Sequence, residues 1–288
     1  EDGSEILDVK AGKYIVSIDK STGFLIGYSC GASQLIKDAF APNFWRAELD
    51  NDWRGWKPAV YLEDWKTAGA YLKSDASKTV LEHSHEGNVA VVNVVKDIHG
   101  GKAELHLSYM VYPDGNLKVS YDLLIGEKTL EPLRVGLQGQ IDSRFGNLTY
   151  FGRGPQENYS DRNDGIFFGT WKTSVEDMMV QYVFPQENGN RTGVRWISMT
   201  DGKGRGLKII GEQPLSVSAW NTTQEELHAK THIGEPSVLE DSFVLNVDLV
   251  QAGVGGTDSW SQYARPYDPY RLMEKKYSYS FWIVPLMQ

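Results

Sequence analysis

Cysteine and long apolar runs are scarce in this chain, and each shortage excludes a class of protein. Cys30 is the one cysteine among 288 residues, so neither an internal disulfide framework nor a cysteine metal cluster can form. We interpret Cys30 as a packed strand residue. No apolar stretch approaches the roughly 20 residues that a membrane-spanning helix needs, and we therefore expect no membrane partner.

Positive charge is also in short supply. Lysine and arginine together number 29 against 38 aspartates and glutamates, which gives a formal net charge of −9 at pH 7. An acidic surface does not attract polyanions, so we expect no nucleic-acid partner. The sequence begins at Glu1 without an initiator methionine or a signal-peptide pattern, and we expect a chain that was processed or cut from something longer.

Tryptophan, by contrast, is abundant. There are nine tryptophans, and Trp45, Trp53, Trp56 and Trp65 crowd into one short segment. Core packing accounts best for most of them, because a buried indole removes a large apolar area from water. An exposed indole can instead stack its flat face on the apolar face of a sugar ring, which makes it a candidate carbohydrate contact.

Alternation of apolar and polar residues dominates positions 80–137 and returns after residue 194. This period of two is typical of strands with one buried face. Helical spacing appears at residues 61–72 and, behind a capping-box pattern at 222–225, at residues 226–229, whereas a long loop is predicted at 53–58. We predict an all-β fold: a large antiparallel two-sheet sandwich with few short helices, in a single domain over residues 1–288. The strands are predicted at residues 13–19, 89–95, 103–112, 117–123, 133–140, 194–199, 206–210, 215–220, 243–250 and 277–285.

Two segments rich in glycine, proline and charge share a Pro-Gln-Glu-Asn sequence, at residues 150–163 and 184–191. Neither has the pattern of a helix or a strand, so we interpret both as loops. Glu157 and Glu187 could form the carboxylate pair of a glycosidase. Each has arginine neighbours, Arg153 and Arg162 for Glu157 and Arg191 for Glu187, and such a partner keeps a carboxylate ionised. We therefore favour structural or substrate-positioning ion pairs over catalysis.

Two other patterns have little chemical support. His228 and His232 have the i, i+4 spacing of helical metal ligands, but no glutamate completes the motif, and we expect neither metal nor cofactor. The glycines of residues 253–256 are not followed by Gly-Lys-Ser/Thr, which argues against a phosphate loop. They form a glycine-rich turn that presents Asp258, Ser259 and Trp260, an arrangement suited to a sugar platform.

Five segments of the chain form one ordered set of motifs. They are residues 46–52 (RAELDND), 65–69 (WKTAG), 152–162 (GRGPQENYSDR), 184–191 (FPQENGNR) and 253–260 (GVGGTDSW). Together, and in this order, they resemble the C-terminal domain of large family 2 β-galactosidases, and the resemblance spans residues 13–285.

The resemblance implies a galactose mutarotase-like sandwich and assigns roles to named residues. Trp260 corresponds to a tryptophan that stacks on the sugar in the outer subsite, and residues 53–58 correspond to a mobile loop at the mouth of the active site. The chain departs from the family at Glu48, where proline is common, and in the tryptophan-rich loop. Substrate-binding positions are Asp50, Asn51, Asp52, Trp53, Asp258, Ser259 and Trp260. Positions that shape the cleft are Arg153, Glu157, Asn158, Arg162, Glu187, Asn188 and Arg191.

The resemblance also implies a parent enzyme that hydrolyses terminal β-galactosides with retention. Its catalytic glutamates belong to a (β/α)₈ barrel, for which this chain has no room, so we expect no catalytic residue here and no activity from the isolated chain. The expected partners are a β-galactoside or other sugar, the other domains of the parent, and further copies in a homo-oligomer. The compartment stays open between bacterial cytoplasm and periplasm.

Two other functions stay open. The same fold serves aldose 1-epimerases, whose chemistry needs an acid and a base, commonly His and Glu; His83, His85, His99 and His106 lie in or near predicted strands. The chain could also be a module that only binds sugar or packs against sibling domains.

Overall fold

A computed structural model describes residues 2–74, 77–232 and 239–287 and contains fifteen antiparallel strands over that part of the chain. The all-β prediction is confirmed. The strands are β1 (Ile6–Ala11), β2 (Tyr14–Asp19), β3 (Leu25–Cys30), β4 (Ser33–Asn43), β5 (Thr79–Glu86), β6 (Val89–Ile98), β7 (Ala103–Val111), β8 (Leu117–Ile125), β9 (Arg134–Asp142), β10 (Asn147–Gly154), β11 (Phe167–Ser174), β12 (Arg191–Thr200), β13 (Gly206–Trp220), β14 (Ser242–Gln251) and β15 (Lys276–Leu286).

The strands form one hydrogen-bonded path that curls over itself. Its order is β1-β2-β3-β4-β9-β14-β13-β15-β8-β7-β6-β5, and β12, β10 and β11 branch from β13. The two ends of the path meet across the apolar core. Tyr28 of β3 donates its hydroxyl to Gly115 O at 2.5 Å, and Thr79 of β5 donates to Ser21 O at 2.7 Å. Curling in this way lets a continuous sheet pack as the layers of a sandwich.

Helices are few and short. In α2 the buried residues Trp65, Ala68 and Leu72 follow the predicted helical spacing, so the helix expected over residues 61–72 is confirmed. The capping box of α4 joins Thr223 and Glu226, one residue later than predicted. No described helix has the length and apolar character needed to cross a membrane. The helices are α1 (Pro58–Tyr61), α2 (Glu63–Lys73), α3 (Val175–Met178) and α4 (Gln224–Ala229), with a π-helical turn at Asn51–Trp56 and 3₁₀ turns at Ser143–Phe145, Gln262–Ala264 and Asp268–Tyr270.

Two loop predictions are wrong. The segment at 53–58 is not an open loop, because it holds the end of the π-helical turn and the start of α1. The first five residues of the 150–163 segment belong to β10, where glycine serves close strand packing rather than a turn. A β-carbon on Gly152 would lie 2.9 Å from the Cα of Val194 in the paired β12.

The central strands have one apolar face and one polar face. In β9, Val135 and Leu137 point into the apolar core, whereas Arg134 and Gln138 lie on the opposite face. The paired strand β14 follows the same rule, with Asn246 opposite Gln138. Residues 43–49, 52 and 187–191 are buried although they include many charged and amide side chains. We call the buried polar groups of these strands and segments the polar layer, and the candidate site opens from it.

Candidate functional site

The two loops with the Pro-Gln-Glu-Asn sequence interlock through their asparagines. In both loops the side-chain amide donates to the carbonyl two residues earlier, from Asn158 to Gln156 and from Asn188 to Gln186, at 2.9 Å each. Asn190 joins the loops, because its O accepts from Asn158 N and its Nδ2 donates to Asn158 O, both at 2.8 Å. These buried amides therefore hold backbone and do not face solvent.

Glu157 ties the first loop to the second. Its Oε1 accepts hydrogen bonds from the Arg162 guanidinium and the Tyr182 hydroxyl, and its Oε2 accepts from the Gly189 backbone N–H at 2.9 Å. The expected pairing of Glu157 with Arg162 is thus present. Three donors engage both oxygens of this carboxylate, so Glu157 holds the two loops together.

The other two arginines of these loops do not pair with glutamate. Arg153 stacks its guanidinium on the ring of Phe168, 4.6 Å from the centroid. Arg191 donates to the carbonyl of Gly189 at 2.9 Å and to the hydroxyl of Tyr150 at 3.1 Å. The inference that Arg191 is the partner of Glu187 is therefore wrong, because backbone carbonyls and a tyrosine already use its guanidinium.

Glu187 instead belongs to a buried cluster with residues of the central strands. Arg134 Nη2 lies 2.5 Å from Glu187 Oε1, and Arg134 Nε lies 3.3 Å from Asp248 Oδ2. Gln251 adds a hydrogen bond of 3.1 Å to Glu187 Oε1. Gly136 pairs with Asp248 across the strands, and a β-carbon there would lie 1.8 Å from Asp248 Oδ1. Only glycine leaves space for this carboxyl group.

The cluster holds two carboxyl groups and one guanidinium away from water. Burial raises the pKa of Glu187, although the charge of Arg134 opposes this. Burial also raises the pKa of Asp248 to about 7, again opposed by Arg134 and reinforced by Glu187. The charge of an arginine does favour the ionised form of Glu187, as expected, but the arginine is Arg134 and the effect of burial on the pKa is the larger one. One guanidinium balances one carboxylate, so the cluster retains a proton up to about neutral pH.

A second buried ion pair fixes the segment that carries Asp50, Asn51 and Asp52. Arg46 Nε and Nη2 each lie 2.9 Å from the Asp52 carboxylate, a bidentate geometry that is among the strongest ion pairs. The indole N–H of Trp56 donates to the same carboxylate at 3.0 Å. Asp52 is fully enclosed, so it holds the segment in place and leaves Asp50 and Asn51 nearer the surface.

The same segment is joined to the turn that carries Trp260. Arg46 Nη1 donates to Gly253 O at 3.0 Å, and Asn51 Nδ2 donates to Val254 O at 3.2 Å. These bonds connect residues about 200 positions apart in the sequence. The two predicted substrate-binding segments therefore form one structural unit.

Asp161, at the end of the first Pro-Gln-Glu-Asn loop, fixes the turn from the other side. Its Oδ2 accepts the backbone N–H groups of Val254 and Gly255, each at 2.8 Å. A carboxylate that receives two backbone N–H groups is a strong and directional anchor. Asp161 belongs to the 152–162 motif, but the sequence assigned it no role. Its position among turn-forming residues was the signal that could have indicated an anchor for a turn.

Trp260 projects from this anchored turn with 78% of its surface exposed. Asp258 Oδ1 accepts from the backbone N–H of Trp260 at 3.1 Å and of Ser261 at 2.9 Å. The Ser261 hydroxyl donates to Asp258 Oδ2, and this hydrogen bond is the main reason that the pKa of Asp258 is lowered. Asp258 therefore stays ionised at neutral pH and braces the turn from within.

A cavity of about 270 Å³ lies beside the turn and opens from the polar layer. It brings together residues from four of the five segments that carry the resemblance, 46–52, 152–162, 184–191 and 253–260. Asp258 and Trp260 are chain neighbours of the lining residue Ser259 but do not line the cavity themselves, and Asp52 is buried beneath it. Trp53 does not line it; its ring packs 5.6 Å from that of Phe184. The side chains that line it include Asp50, Asn51, Arg162, Tyr182, Glu187 and Ser259.

Residues 10–283 match the family described as "Beta galactosidase small chain". The chain belongs to this family. The resemblance found in five short motifs therefore extends over nearly the whole sequence.

Relatives in the beta galactosidase small chain family confirm that the chain corresponds to part of a larger enzyme. It is 31% identical over 287 residues to a beta-galactosidase of Priestia megaterium, covering 99% of this chain and 27% of that protein. It is 34% identical over 277 residues to a beta-galactosidase of Halalkalibacterium halodurans, covering 94% of this chain and 26% of that protein. The chain thus spans about a quarter of the length of these relatives.

Solved structures confirm the mutarotase-like fold. The galactose 1-epimerase of Lactobacillus acidophilus superposes with a TM-score of 0.53 at 9% identity, covering 99% of this chain and 95% of the epimerase. A TPR-domain containing protein of Parabacteroides distasonis gives 0.56 at 10% identity, covering 98% of this chain and 47% of that protein. At such low identity the likeness concerns the fold alone.

None of the histidines that the structure describes lines the cavity of about 270 Å³ beside the turn. His106 contacts Glu104 at 2.6 Å, and His228 approaches Glu48 at 3.6 Å. His83 lines another cavity, of about 660 Å³, that lies by β1 and β5. Over the described ranges, no group of three or more His, Cys, Asp or Glu side chains has the arrangement of a metal site.

Proposed function

We propose that this chain is the sugar-contacting C-terminal domain, one domain over residues 1–288, of a β-galactosidase. The parent enzyme hydrolyses terminal β-D-galactosides, and the reaction takes place on residues outside this chain. The β-galactosidase relatives, four times longer than the matched region, support this division. The described residues form the β-sandwich that we expect of a domain contributing to the sugar cleft.

One observation carries the sugar contact. Trp260 presents an open indole face although an exposed tryptophan forgoes the free energy of burial, roughly 1.5–3 kcal/mol for a large side chain. The turn that holds it is braced by Asp258 and anchored by Asp161. An exposed indole on an anchored turn is suited to stacking on a sugar ring, because the backbone of the turn loses little conformational entropy on binding. Asp50, Asn51 and Ser259 supply polar groups to the cavity that Ser259 of the same turn lines.

The test is steady-state kinetics of the full-length enzyme carrying Trp260→Ala, with a disaccharide and with an aryl galactoside. We expect binding of the outer sugar to weaken by about 1–3 kcal/mol, the scale of one aromatic contact. Trp260→Phe should recover part of the loss. Tyr61→Ala, an exposed aromatic on α1, is the matched control and should change nothing. Unchanged outer-sugar binding in Trp260→Ala would refute the platform and favour a module that only packs against sibling domains.

The isolated 288-residue chain should not hydrolyse a chromogenic β-galactoside. Robust turnover by the purified chain would overturn the division of labour, because it would require a catalytic carboxylate pair within these residues.

We further propose that the parent assembles as a homo-oligomer, which light scattering of the full-length enzyme tests directly.

A further inference from the structure

We propose that a second cleft on the polar face of the sheet binds a neutral polyol, such as a single sugar ring. The cleft lies between α2 and α4, has a volume of about 280 Å³ and shares no lining residue with the cavity beside Trp260. Four carboxamide side chains line it, and we call it the amide cleft: Asn43, Gln138, Gln140 and Gln224. The inference does not depend on the role proposed for Trp260.

The amides of the cleft are held in defined orientations from behind. Asn43 Nδ2 donates to Gln224 Oε1 at 2.8 Å, and Gln138 Nε2 donates to Asn246 Oδ1 at 2.8 Å. Gln140 Oε1 accepts from the hydroxyl of Ser242 at 2.7 Å. Each bond fixes the plane of one amide before any ligand arrives, which lowers the entropy lost on binding.

The fixed amides retain unused hydrogen-bonding capacity. Within the described ranges, Gln138 Oε1 accepts no hydrogen bond and Gln224 Nε2 donates none, and Gln140 Nε2 reaches only Asp38 at a long 3.4 Å. The cleft therefore offers an acceptor and donors in fixed positions. Hydroxyl groups are the ligands that match both, since each is donor and acceptor at once.

Small residues leave the space for a ligand. Ala41 of β4, Gly69 and Ala70 of α2, and Gly139 of β9 line the walls of the cleft. Larger side chains on Gly69 or Ala70 would narrow the groove between helix and sheet, whereas a β-carbon on Gly139 would lie 2.1 Å from the ring of Phe40 in the apolar core. The volume is close to the lower end of ligand pockets, roughly 300 Å³, which suits one sugar ring and not an oligosaccharide.

Charge selects a neutral ligand. Lys66 and Lys73 of α2 line the cleft on one side, and Asp38 and Glu225 supply the opposite sign. The formal charges cancel, so neither an anion nor a cation gains a net attraction. Half-buried glutamines on a strand face covered by helices are also unfavourable for packing alone, because apolar residues would bury more area there.

The test uses the ¹⁵N-labelled 288-residue chain titrated with D-galactose, D-glucose and sorbitol while side-chain amide resonances are followed by NMR. We expect saturable shifts of the Gln138, Gln140 and Gln224 amides with at least one of the three probes. Trp260→Ala should leave this affinity unchanged, which separates the amide cleft from the platform.

Two variants probe the cleft itself. Gln138→Leu removes the free acceptor and should weaken binding about tenfold, the equivalent of one hydrogen bond to a ligand. Ala70 lies on the exposed surface of α2, so Ala70→Leu narrows the cleft without removing any hydrogen bond. This variant therefore remains informative if Gln138→Leu fails to fold. Ala70→Ser, which adds a much smaller side chain, is its control. The proposal is overturned if no probe gives saturable shifts in the cleft, if only residues 50–53 and 258–260 shift, or if Ala70→Leu binds like Ala70→Ser.

Discussion

Replacing Asp248 with asparagine should make the stability of this protein less dependent on pH and higher in weakly alkaline solution. Asp248 and Glu187 share one guanidinium, that of Arg134, in a cluster without water access. Asparagine has the shape of the protonated carboxyl group, and it cannot ionise. The substitution therefore keeps the form of the cluster that burial favours and removes the form that burial penalises.

The magnitude follows from the pKa of Asp248. Its pKa is raised by burial from 3.8 to about 7. A group with a raised pKa in the folded state contributes its full stability below the unfolded pKa and loses it as the pH rises through the folded pKa. At 1.36 kcal/mol per pH unit, the interval of about three units corresponds to about 4 kcal/mol lost between pH 4 and pH 7.

The assay is urea unfolding followed by tryptophan fluorescence at several pH values from 5 to 8. With the two proteins compared relative to their difference at pH 5, Asp248→Asn should exceed the free energy of unfolding of the unaltered protein at pH 8 by about 3 kcal/mol, because about two pH units separate pH 5 from the folded pKa of about 7. Asp164→Asn, which changes an exposed carboxylate, controls for the change in net charge. If Asp248→Asn lowers stability equally at every pH, the cluster does not hold a proton and the reasoning is refuted.

Four further outcomes are expected. Asp161→Ala removes the acceptor of two backbone N–H groups of the turn that carries Trp260. In the full-length enzyme, KM for the disaccharide should therefore rise several-fold while kcat for an aryl galactoside stays unchanged. If activity on the disaccharide and on the aryl galactoside fell equally, the substitution would have damaged the enzyme generally. Arg46→Met leaves Asp52 buried without its partner and should lower the free energy of unfolding by about 3–5 kcal/mol. An unchanged free energy of unfolding would show that the ion pair does not stabilise the fold. Gly136→Ala forces a β-carbon against the Asp248 carboxyl group and should cost about 1–3 kcal/mol in the same urea assay. The isolated chain should not accelerate the mutarotation of fresh α-galactose in a polarimeter, and acceleration would revive the epimerase function.

The strands could be predicted where each has one buried face. β7 and β8 alternate buried and partly exposed residues along their whole length, and this local rule is visible in the sequence. β11 was not predicted because it lies at a sheet edge, pairs only with β10 and contains no fully buried residue. β10 was missed because its glycines were taken as turn residues, although Gly152 is required by the closeness of a partner strand.

The candidate site could be predicted in its parts and not in its assembly. The glycine-rich turn pointed to Trp260 as an exposed residue, and the motif resemblance pointed to Asp50, Asn51 and Ser259. The structure places Asp50, Asn51 and Ser259 around one cavity. Arg134 and Asp248 gave a weaker signal, a charge inside an apolar strand. Their meaning depends on which strand lies beside them, and local pattern does not contain that information.

The sequence alone thus determined the fold class, the helices α2 and α4 and the glycine-rich turn that carries Trp260, because alternation, helical spacing and turn chemistry act between residues close in the chain. Tertiary structure alone decided the partner of Glu187. The nearest arginine in sequence, Arg191, is used by backbone carbonyls, and the true partner Arg134 lies 53 positions away. Burial then decided the chemistry, since a carboxyl group deprived of water keeps its proton unless a guanidinium is free to balance it.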